Sequence, residues 1–107
     1  MSQEKENYHL FGTVQEFKDS PIVCKQIGTK RVAVSQIEGV WYAFEDTCPH
    51  QGESLSKGTL KGCIITCPAH NWKFDLKSGE STVIPDEFIY TFDVKVEAEK
   101  IFVNLKF

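Results

Sequence analysis

Two short segments of the chain each carry one cysteine and one histidine in close succession. The first segment is Cys48–His50, with the sequence CPH, and the second is Cys67–His70, with the sequence CPAH; sixteen residues separate them. Thiolate sulfur and imidazole nitrogen are both good ligands for transition metals. A proline directly after each cysteine fixes one backbone φ angle and removes one backbone donor, so both segments are stiff. The pattern predicts a metal site held between two loops, and its predicted ligands are Cys48, His50, Cys67 and His70.

Other chemistries use the same residue types. A structural zinc site also takes two cysteines and two histidines, although zinc fingers usually group the cysteines in one knuckle and the histidines in the other. A disulfide between Cys48 and Cys67 is disfavoured because nothing in the sequence indicates export to an oxidising compartment. A nucleophilic cysteine–histidine pair leaves the second pair without a role. A metal or cluster site therefore accounts for the residues better than the alternatives do.

The residues around the two segments carry a resemblance to a known family. Asp46 and Gly52 flank the first segment, and the second is followed by Trp72, Phe74-Asp75 and Ser78-Gly79. With these flanks, the spacing C-x-H, sixteen residues, C-x-x-H resembles the Rieske-type 2Fe–2S ferredoxins. The resemblance covers about Trp41 to Phe107, and the strands before it also fit. It is strongest to the soluble, low-potential ferredoxin components of ring-hydroxylating oxygenase systems and to archaeal sulredoxin-like proteins.

The resemblance implies one 2Fe–2S cluster, with two cysteines on one iron and two histidines on the other. Cys48 and Cys67 would hold the inner iron, and His50 and His70 the outer iron that accepts the electron. The implied function is that of a soluble one-electron carrier, not an enzyme, between a flavin-dependent reductase and an oxygenase-like acceptor. A mononuclear oxygenase iron needs further histidines, and only His9 remains. The alternatives are a zinc-binding structural module and a cluster-free protein similar to the nitrite reductase small subunit.

Some positions depart from the family pattern. Asn71 stands where the family commonly has glycine, and asparagine tolerates the left-handed backbone region that such a position needs. Gly52 and Gly79 are expected to have positive φ angles as well. Trp72 and Phe74 stand where high-potential members resemble one another in having serine and tyrosine hydroxyls near the cluster sulfurs. Their replacement predicts a potential at the low end of the Rieske range. The loop Val83–Asp86 is expected to cover the cluster.

Composition limits the function classes. The 107 residues with 41% hydrophobic content predict one globular domain, 1–107, in which 46–76 form the cluster-binding part. A net charge of −3 and a pI near 5.6 argue against nucleic-acid binding. The polar start of the chain lacks the apolar region of a signal peptide, and no apolar run is long enough for a membrane anchor. We therefore expect a cytoplasmic protein, and we expect it to be a monomer.

Short β-type runs between turn residues predict an all-β domain, namely an antiparallel β-sandwich base with an inserted cluster-binding lobe. The predicted strands are Tyr8–Phe17, Ile22–Ile27, Arg31–Ile37, Val40–Phe44, Thr59–Lys61, Cys63–Thr66, Trp72–Leu76, Glu80–Ile84, Phe88–Glu97 and Ile101–Leu105. Ser54–Gly58 is predicted to be a polar turn. Cys24 and Cys63 are predicted to be buried or half-buried strand residues, and His9 an ordinary strand residue. Five acidic residues are predicted to be solvated charges or a docking patch at the tip: Glu45, Asp46, Glu53, Asp86 and Glu87.

Overall fold

The structure is a computed structural model that describes residues 8–47, 54–69 and 71–105. Ten strands run through these residues: β1 (Tyr8–Thr13), β2 (Ile22–Ile27), β3 (Lys30–Ile37), β4 (Val40–Glu45), β5 (Thr59–Lys61), β6 (Ile64–Thr66), β7 (Lys73–Asp75), β8 (Thr91–Phe92), β9 (Val94–Glu97) and β10 (Lys100–Asn104). Two short 3-10 turns, Val14–Phe17 and Leu55–Lys57, follow β1 and precede β5. No helix in the described ranges has the length and apolar character needed to span a membrane.

The strands form three antiparallel sheets. A central sheet has the order β2-β3-β4-β8, a terminal sheet the order β1-β10-β9, and a lobe sheet the order β5-β6-β7. The terminal and central sheets form the base, while the lobe sheet belongs to the segment between β4 and β8. The predicted all-β fold, a sandwich base with an inserted lobe, is therefore confirmed.

The central sheet is buried on both faces because its strands carry apolar residues on both sides. Along β3, Val32 and Val34 point into one hydrophobic cluster and Ala33 into another, as the two-residue period of a strand requires. The cluster shared with the terminal sheet is the base core: Phe11, Val32, Val34, Ala43, Ile101, Val103 and Leu105. The cluster shared with the lobe is the lobe core: Ala33, Phe44, Leu55, Ile65, Cys67, Phe74, Leu76 and Ile89.

The predicted strand Phe88–Glu97 is wrong as a single element. The chain changes sheet at Asp93: β8 pairs with β4 in the central sheet, whereas β9 pairs with β10 in the terminal sheet. The side chains of the segment also differ in burial, because Phe92 and Val94 pack on the base core while Tyr90 is 61% exposed. An alternating pattern predicts which side chains share a face, but it does not reveal a transfer between sheets.

Three other predicted elements also differ from the structure. Only β1 of the segment Tyr8–Phe17 is extended, and Val14–Phe17 forms a 3-10 turn. Glu80–Ile84 contributes isolated bridges, at Glu80 and Ser81, instead of a strand. The polar segment Ser54–Gly58 is a 3-10 turn that buries Leu55 completely. In each case a short stretch of sequence is shaped by contacts with distant residues, which local propensity does not encode.

Candidate metal centre

Cys67 is the one predicted ligand that lies within the described residues. Cys48, His50 and His70 lie outside them. Across residues 8–47, 54–69 and 71–105 there is no group of three or more histidine, cysteine, aspartate or glutamate side chains that could hold a metal ion. The geometry of the site is therefore described through Cys67 and through the segments that lead into and out of both predicted loops.

Cys67 follows directly after β6, and its side chain is fully buried in the lobe core. Its backbone N–H donates a hydrogen bond to the carbonyl oxygen of Trp72 at 2.7 Å, and the N–H of Asn71 donates to the carbonyl oxygen of Cys67 at 3.1 Å. The chain thus turns back on itself between Cys67 and Trp72. A free cysteine sulfur on the inner side of such a turn suits a thiolate ligand of a buried metal group.

The backbone of this second loop needs an unusual conformation, as the sequence predicted. Asn71 has φ +61°, which is the left-handed region where the family commonly has glycine. Gly79, in the turn after β7, has φ +85°, so that prediction is confirmed too. Pro68 and Ala69, at the apex of the loop, are exposed. The loop therefore presents its apex to solvent and its cysteine to the core.

The segment that follows the first loop approaches the second loop at Gly58. A methyl group at its Cα would overlap the carbonyl oxygen of Thr66 and would lie 3.2 Å from Cδ of Pro68. Gly58 ends the segment that follows the first loop, and Thr66 and Pro68 flank Cys67 in the second. Only a residue without Cβ allows the two backbones to approach so closely.

Asp46 lies two residues before Cys48, and the structure corrects the prediction for it. The side chain is fully buried, whereas the sequence suggested a solvated charge near the tip. Its carboxylate accepts hydrogen bonds from the hydroxyl of Ser54 and from both the backbone N–H and the hydroxyl of Ser56, at 2.5 Å and 2.7 Å for the latter two. The guanidinium group of Arg31 lies 4.0 Å away. Sequence reasoning missed this network; the Ser-x-Ser pair at 54 and 56 is the one weak signal for it.

The other two described cysteines have different surroundings. Cys63 is half-buried, as predicted, and its sulfur lies 3.9 Å from the hydroxyl of Tyr42. Desolvation and the neighbouring Cys63 raise the pKa of Tyr42. Cys24 is exposed, so the prediction of a buried or half-buried residue is wrong. Cys24 nevertheless lies beside the lobe. Desolvation and the Asp46 carboxylate raise the pKa of its thiol to about 11. The Cys24 thiol is therefore not an activated thiolate.

The two aromatic residues after the second loop occupy different depths. Phe74 is fully buried in the lobe core, and Trp72 is half-buried beside it, with the ring centroids 6.4 Å apart.

In the loop expected to cover the cluster, the hydroxyl of Ser81 accepts hydrogen bonds from the N–H groups of Val83 and Ile84. That loop is therefore ordered by local contacts; its role as a cover stays a prediction.

Comparisons with known proteins agree with this fold. Residues 7–92 match the family described as the Rieske [2Fe-2S] domain. The ferredoxin component of the naphthalene 1,2-dioxygenase system of Pseudomonas aeruginosa is 30% identical over 91 residues, which cover 84% of this chain and 88% of that protein. The structure described as Sphingomonas yanoikuyae B1 ferredoxin superposes with a TM-score of 0.83 at 26% identity and covers 94% of this chain and 100% of that one.

A further solved structure contains a ferredoxin together with an oxygenase. It is described as the complex of reduced oxygenase and oxidized ferredoxin in carbazole 1,9a-dioxygenase. One of its chains superposes on this one with a TM-score of 0.82 at 29% identity, covering 92% of this chain and 93% of that chain.

The three-sheet β domain with its inserted lobe is the fold of ferredoxins of known structure. The chain belongs to the Rieske [2Fe-2S] domain family, since the match extends over most of its length. The predicted cofactor, one 2Fe–2S cluster, is therefore confirmed, and the zinc and cluster-free alternatives are not retained. The relatives that this chain matches over most of their length are named as ferredoxin components, so the prediction of an electron carrier and not an enzyme is confirmed too. The buried thiol of Cys67 and the mixed cysteine and histidine content of the two loops fit this cofactor.

Proposed function

We propose that four side chains of the two loops hold the cluster: Cys48, His50, Cys67 and His70. The observation that carries this assignment is the second loop, in which a buried free cysteine is anchored by backbone hydrogen bonds at both ends of the turn. Because Cys67 lies in the lobe core and Pro68 and Ala69 are exposed, this loop joins an inner thiolate ligand to an outer surface. That arrangement favours cysteines on the inner iron and histidines on the outer one.

The cluster supplies reversible one-electron chemistry when it is bound. The chain's own residues provide its surroundings: apolar side chains of the lobe core exclude water on the inner side, and Pro68 and Ala69 of the second loop are exposed to solvent. We infer that this chain accepts an electron from a flavin-dependent reductase and delivers it to an oxygenase-like acceptor. The named systems of its relatives and the solved complex of a ferredoxin with its oxygenase support this role. We further propose one cytoplasmic domain, residues 1–107, that acts as a monomer.

Metal and sulfide analysis of the purified protein tests the assignment. We expect two iron atoms and two acid-labile sulfides per chain, and a rhombic electron paramagnetic resonance signal after reduction. His50→Ala and His70→Ala are each expected to lose that signal. His9→Ala is the matched control, because His9 is an exposed residue of β1, and it should keep the signal. One zinc per chain, or an unchanged signal in His50→Ala, would contradict the ligand assignment.

The electron-transfer role needs its own measurement. The reduced protein, mixed with the oxidised Rieske oxygenase of a dioxygenase system, should be reoxidised with a rate that rises with oxygenase concentration. A flavin reductase of the same class with its nicotinamide cofactor should reduce the protein in turn. Failure of both reactions with several such systems, in a protein that carries its cluster, would contradict the proposed partners and leave the cofactor assignment intact.

A further inference from the structure

The Asp46 carboxylate lies between the end of β4 and the 3-10 turn Leu55–Lys57. It is fully buried, and it accepts three hydrogen bonds from Ser54 and Ser56. The backbone N–H of Asp46 donates a hydrogen bond to the carbonyl oxygen of Arg31 at 2.8 Å, which connects Asp46 to β3 as well. A buried carboxylate is costly unless such donors satisfy it. The carboxylate therefore holds the turn firmly against the central sheet.

The same hydrogen bonds close a loop of the chain. The backbone leaves the central sheet at Asp46 and returns at Ser54, and both ends are joined through one side chain. The interval between them contains Cys48 and His50, two of the four proposed ligands. Bringing the two ends of a flexible loop together costs conformational entropy. Because the Asp46 hydrogen bonds already hold these ends together, the entropic cost of positioning the ligands between them is smaller.

We propose that Asp46 is a positioning residue, whose hydrogen bonds to Ser54 and Ser56 fix the first ligand loop for cluster binding. This inference rests on the ligand assignment proposed above. The contact continues to the second loop, because Gly58 ends the same turn and touches the backbone beside Cys67. The buried Asp46 side chain is thus connected, through this turn, to the backbone of the second loop.

Hydrogen bonding, not ion pairing, accounts for this role. The guanidinium group of Arg31 lies at the 4.0 Å limit of an ion pair, and its side chain is 43% exposed. Solvent screens the exposed guanidinium group, whereas the three hydrogen bonds from Ser54 and Ser56 are buried or half-buried. The nearby Cys24 thiol has a raised pKa and stays neutral. An asparagine at position 46 retains one oxygen for the Ser56 N–H, and its NH2 group donates to hydroxyl oxygens that also act as acceptors. Asp46→Asn therefore removes the charge but keeps the connection.

Four variants of the cluster-loaded protein separate these effects. In the presence of an iron chelator, Asp46→Ala is expected to lose its visible absorption at least about tenfold faster than the wild type, because buried donors lose their acceptor. Ser56→Ala, which keeps the carboxylate and the Ser56 N–H, should be intermediate. Asp46→Asn should lie within about twofold of the wild type. Val103→Ala, in the base core, is the control for a general loss of stability.

Hydrogen exchange followed by mass spectrometry gives a second readout that does not depend on activity. Peptides that cover residues 47–53 should exchange faster in Asp46→Ala but not in Asp46→Asn or Val103→Ala. Equal cluster loss in Asp46→Ala and Val103→Ala would overturn the proposal, and so would equal damage in Asp46→Ala and Asp46→Asn. If the wild type lacked the predicted iron and sulfide, the ligand assignment would fail instead, and the exchange of residues 47–53 would still decide whether Asp46 fixes this loop.

Discussion

The terminal sheet and the lobe pack on opposite faces of the central sheet. The base, which contains the terminal and central sheets, is held together in a different way from the lobe. In the base, β2 and β4 each pair with β3 over six residues, and β10 pairs with β1 over five. In the lobe, each strand pairing covers three residues. The base core is drawn mainly from strands, whereas the lobe core takes Leu55, Leu76 and Ile89 from turns and loops. Backbone hydrogen bonds between long strands therefore stabilise the base, whereas side-chain packing and individual hydrogen bonds stabilise the lobe.

This difference has a functional meaning. Cys67, the one proposed ligand among the described residues, lies in the region whose backbone is fixed by a small number of specific contacts. Such contacts allow loops of irregular shape to converge on a cofactor, which regular strands cannot do. The base provides a rigid support, and the lobe provides adaptable geometry. Substitutions in the two regions should therefore separate the stability of the domain from retention of the cluster.

Replacing Cys67 with serine is expected to have the largest effect on cluster retention. A serine hydroxyl is a harder ligand than a thiolate and is a poor substitute for it on iron–sulfur clusters. We expect nearly complete loss of the rhombic signal and of iron content. Cys24→Ser is the matched control, because Cys24 is exposed at the border of the lobe and is not a proposed ligand. Full iron content in Cys67→Ser would contradict the ligand assignment.

Gly58→Ala is expected to damage the lobe through its backbone. The added methyl group would overlap the Thr66 carbonyl oxygen, so one of the two segments must move. Overpacking of this kind costs about 1–3 kcal/mol in the free energy of unfolding, and it should also speed cluster loss. Urea titration and absorbance decay measure the two effects.

Gly28→Ala provides the control for Gly58→Ala in the base. Gly28 has φ +64° and open space around it, so an alanine there meets backbone strain of about 1 kcal/mol but no steric clash. Its rate of cluster loss should stay close to that of the wild type. If Gly28→Ala released the cluster as fast as Gly58→Ala, the lobe would not be the sensitive region.

Phe74→Tyr tests how the lobe core sets the potential. Phe74 is fully buried in the same core as Cys67, and a phenylalanine donates no hydrogen bond. We expect the wild-type midpoint near the low end of the Rieske range, about −150 mV. A hydroxyl that reaches a cysteine sulfur should stabilise the reduced cluster and raise the midpoint by about 20–60 mV, which corresponds to one hydrogen bond.

Protein-film voltammetry at neutral pH measures this shift. Phe102→Tyr is the control, since Phe102 is a half-buried residue of β10 that belongs to neither core. A midpoint above about +100 mV in the wild type, within the known Rieske range, would refute the low-potential assignment. A lower midpoint in Phe74→Tyr would show that the new hydroxyl does not donate to the cluster.

The sequence was informative where local chemistry decides the structure. Val32 and Val34 mark a strand by their alternation, and Asn71 and Gly79 mark left-handed positions by residue type. It was misleading where distant contacts decide. Leu55 is a single apolar residue in a polar stretch, so it shows no periodicity, yet it fills the lobe core. Asp46 belongs to a residue type that is seldom fully buried, and burial depends on serine donors whose positions are set by the fold.

The lobe's buried carboxylate has a counterpart in the base, where Glu16 is exposed. Its side chain accepts hydrogen bonds from the N–H of Thr13 at 3.0 Å and from the ammonium group of Lys25, which lies 2.8 Å from its other oxygen. Both carboxylates join a strand end to a 3-10 turn. The side chains of Lys25 and Glu16 are 37% and 36% exposed, however, so solvent screens this pair.

Glu16→Gln should accordingly have the smallest effect. The hydrogen bond from Lys25, followed by that from Thr13, holds the pKa of Glu16 below its usual value of 4.5. Because the folded-state pKa is the lower one, the stabilisation is fully present above about pH 4.5 and is lost as the pH falls through the folded-state pKa. We expect Glu16→Gln to lower the free energy of unfolding by about 0.5 kcal/mol at pH 7, with no difference from the wild type at the acid end.

Urea titrations of both proteins at pH 7 and at pH 3, in low and high salt, measure this difference. Glu97→Gln is the control, because the Glu97 side chain is 62% exposed and lies 3.7 Å from Lys95, and it should change nothing at either pH. A loss above about 2 kcal/mol at pH 7 would exceed what a screened surface pair contributes. In that case the exposed carboxylate of the base would be as important as the buried one of the lobe, and the contrast between the two regions would not hold for their polar contacts.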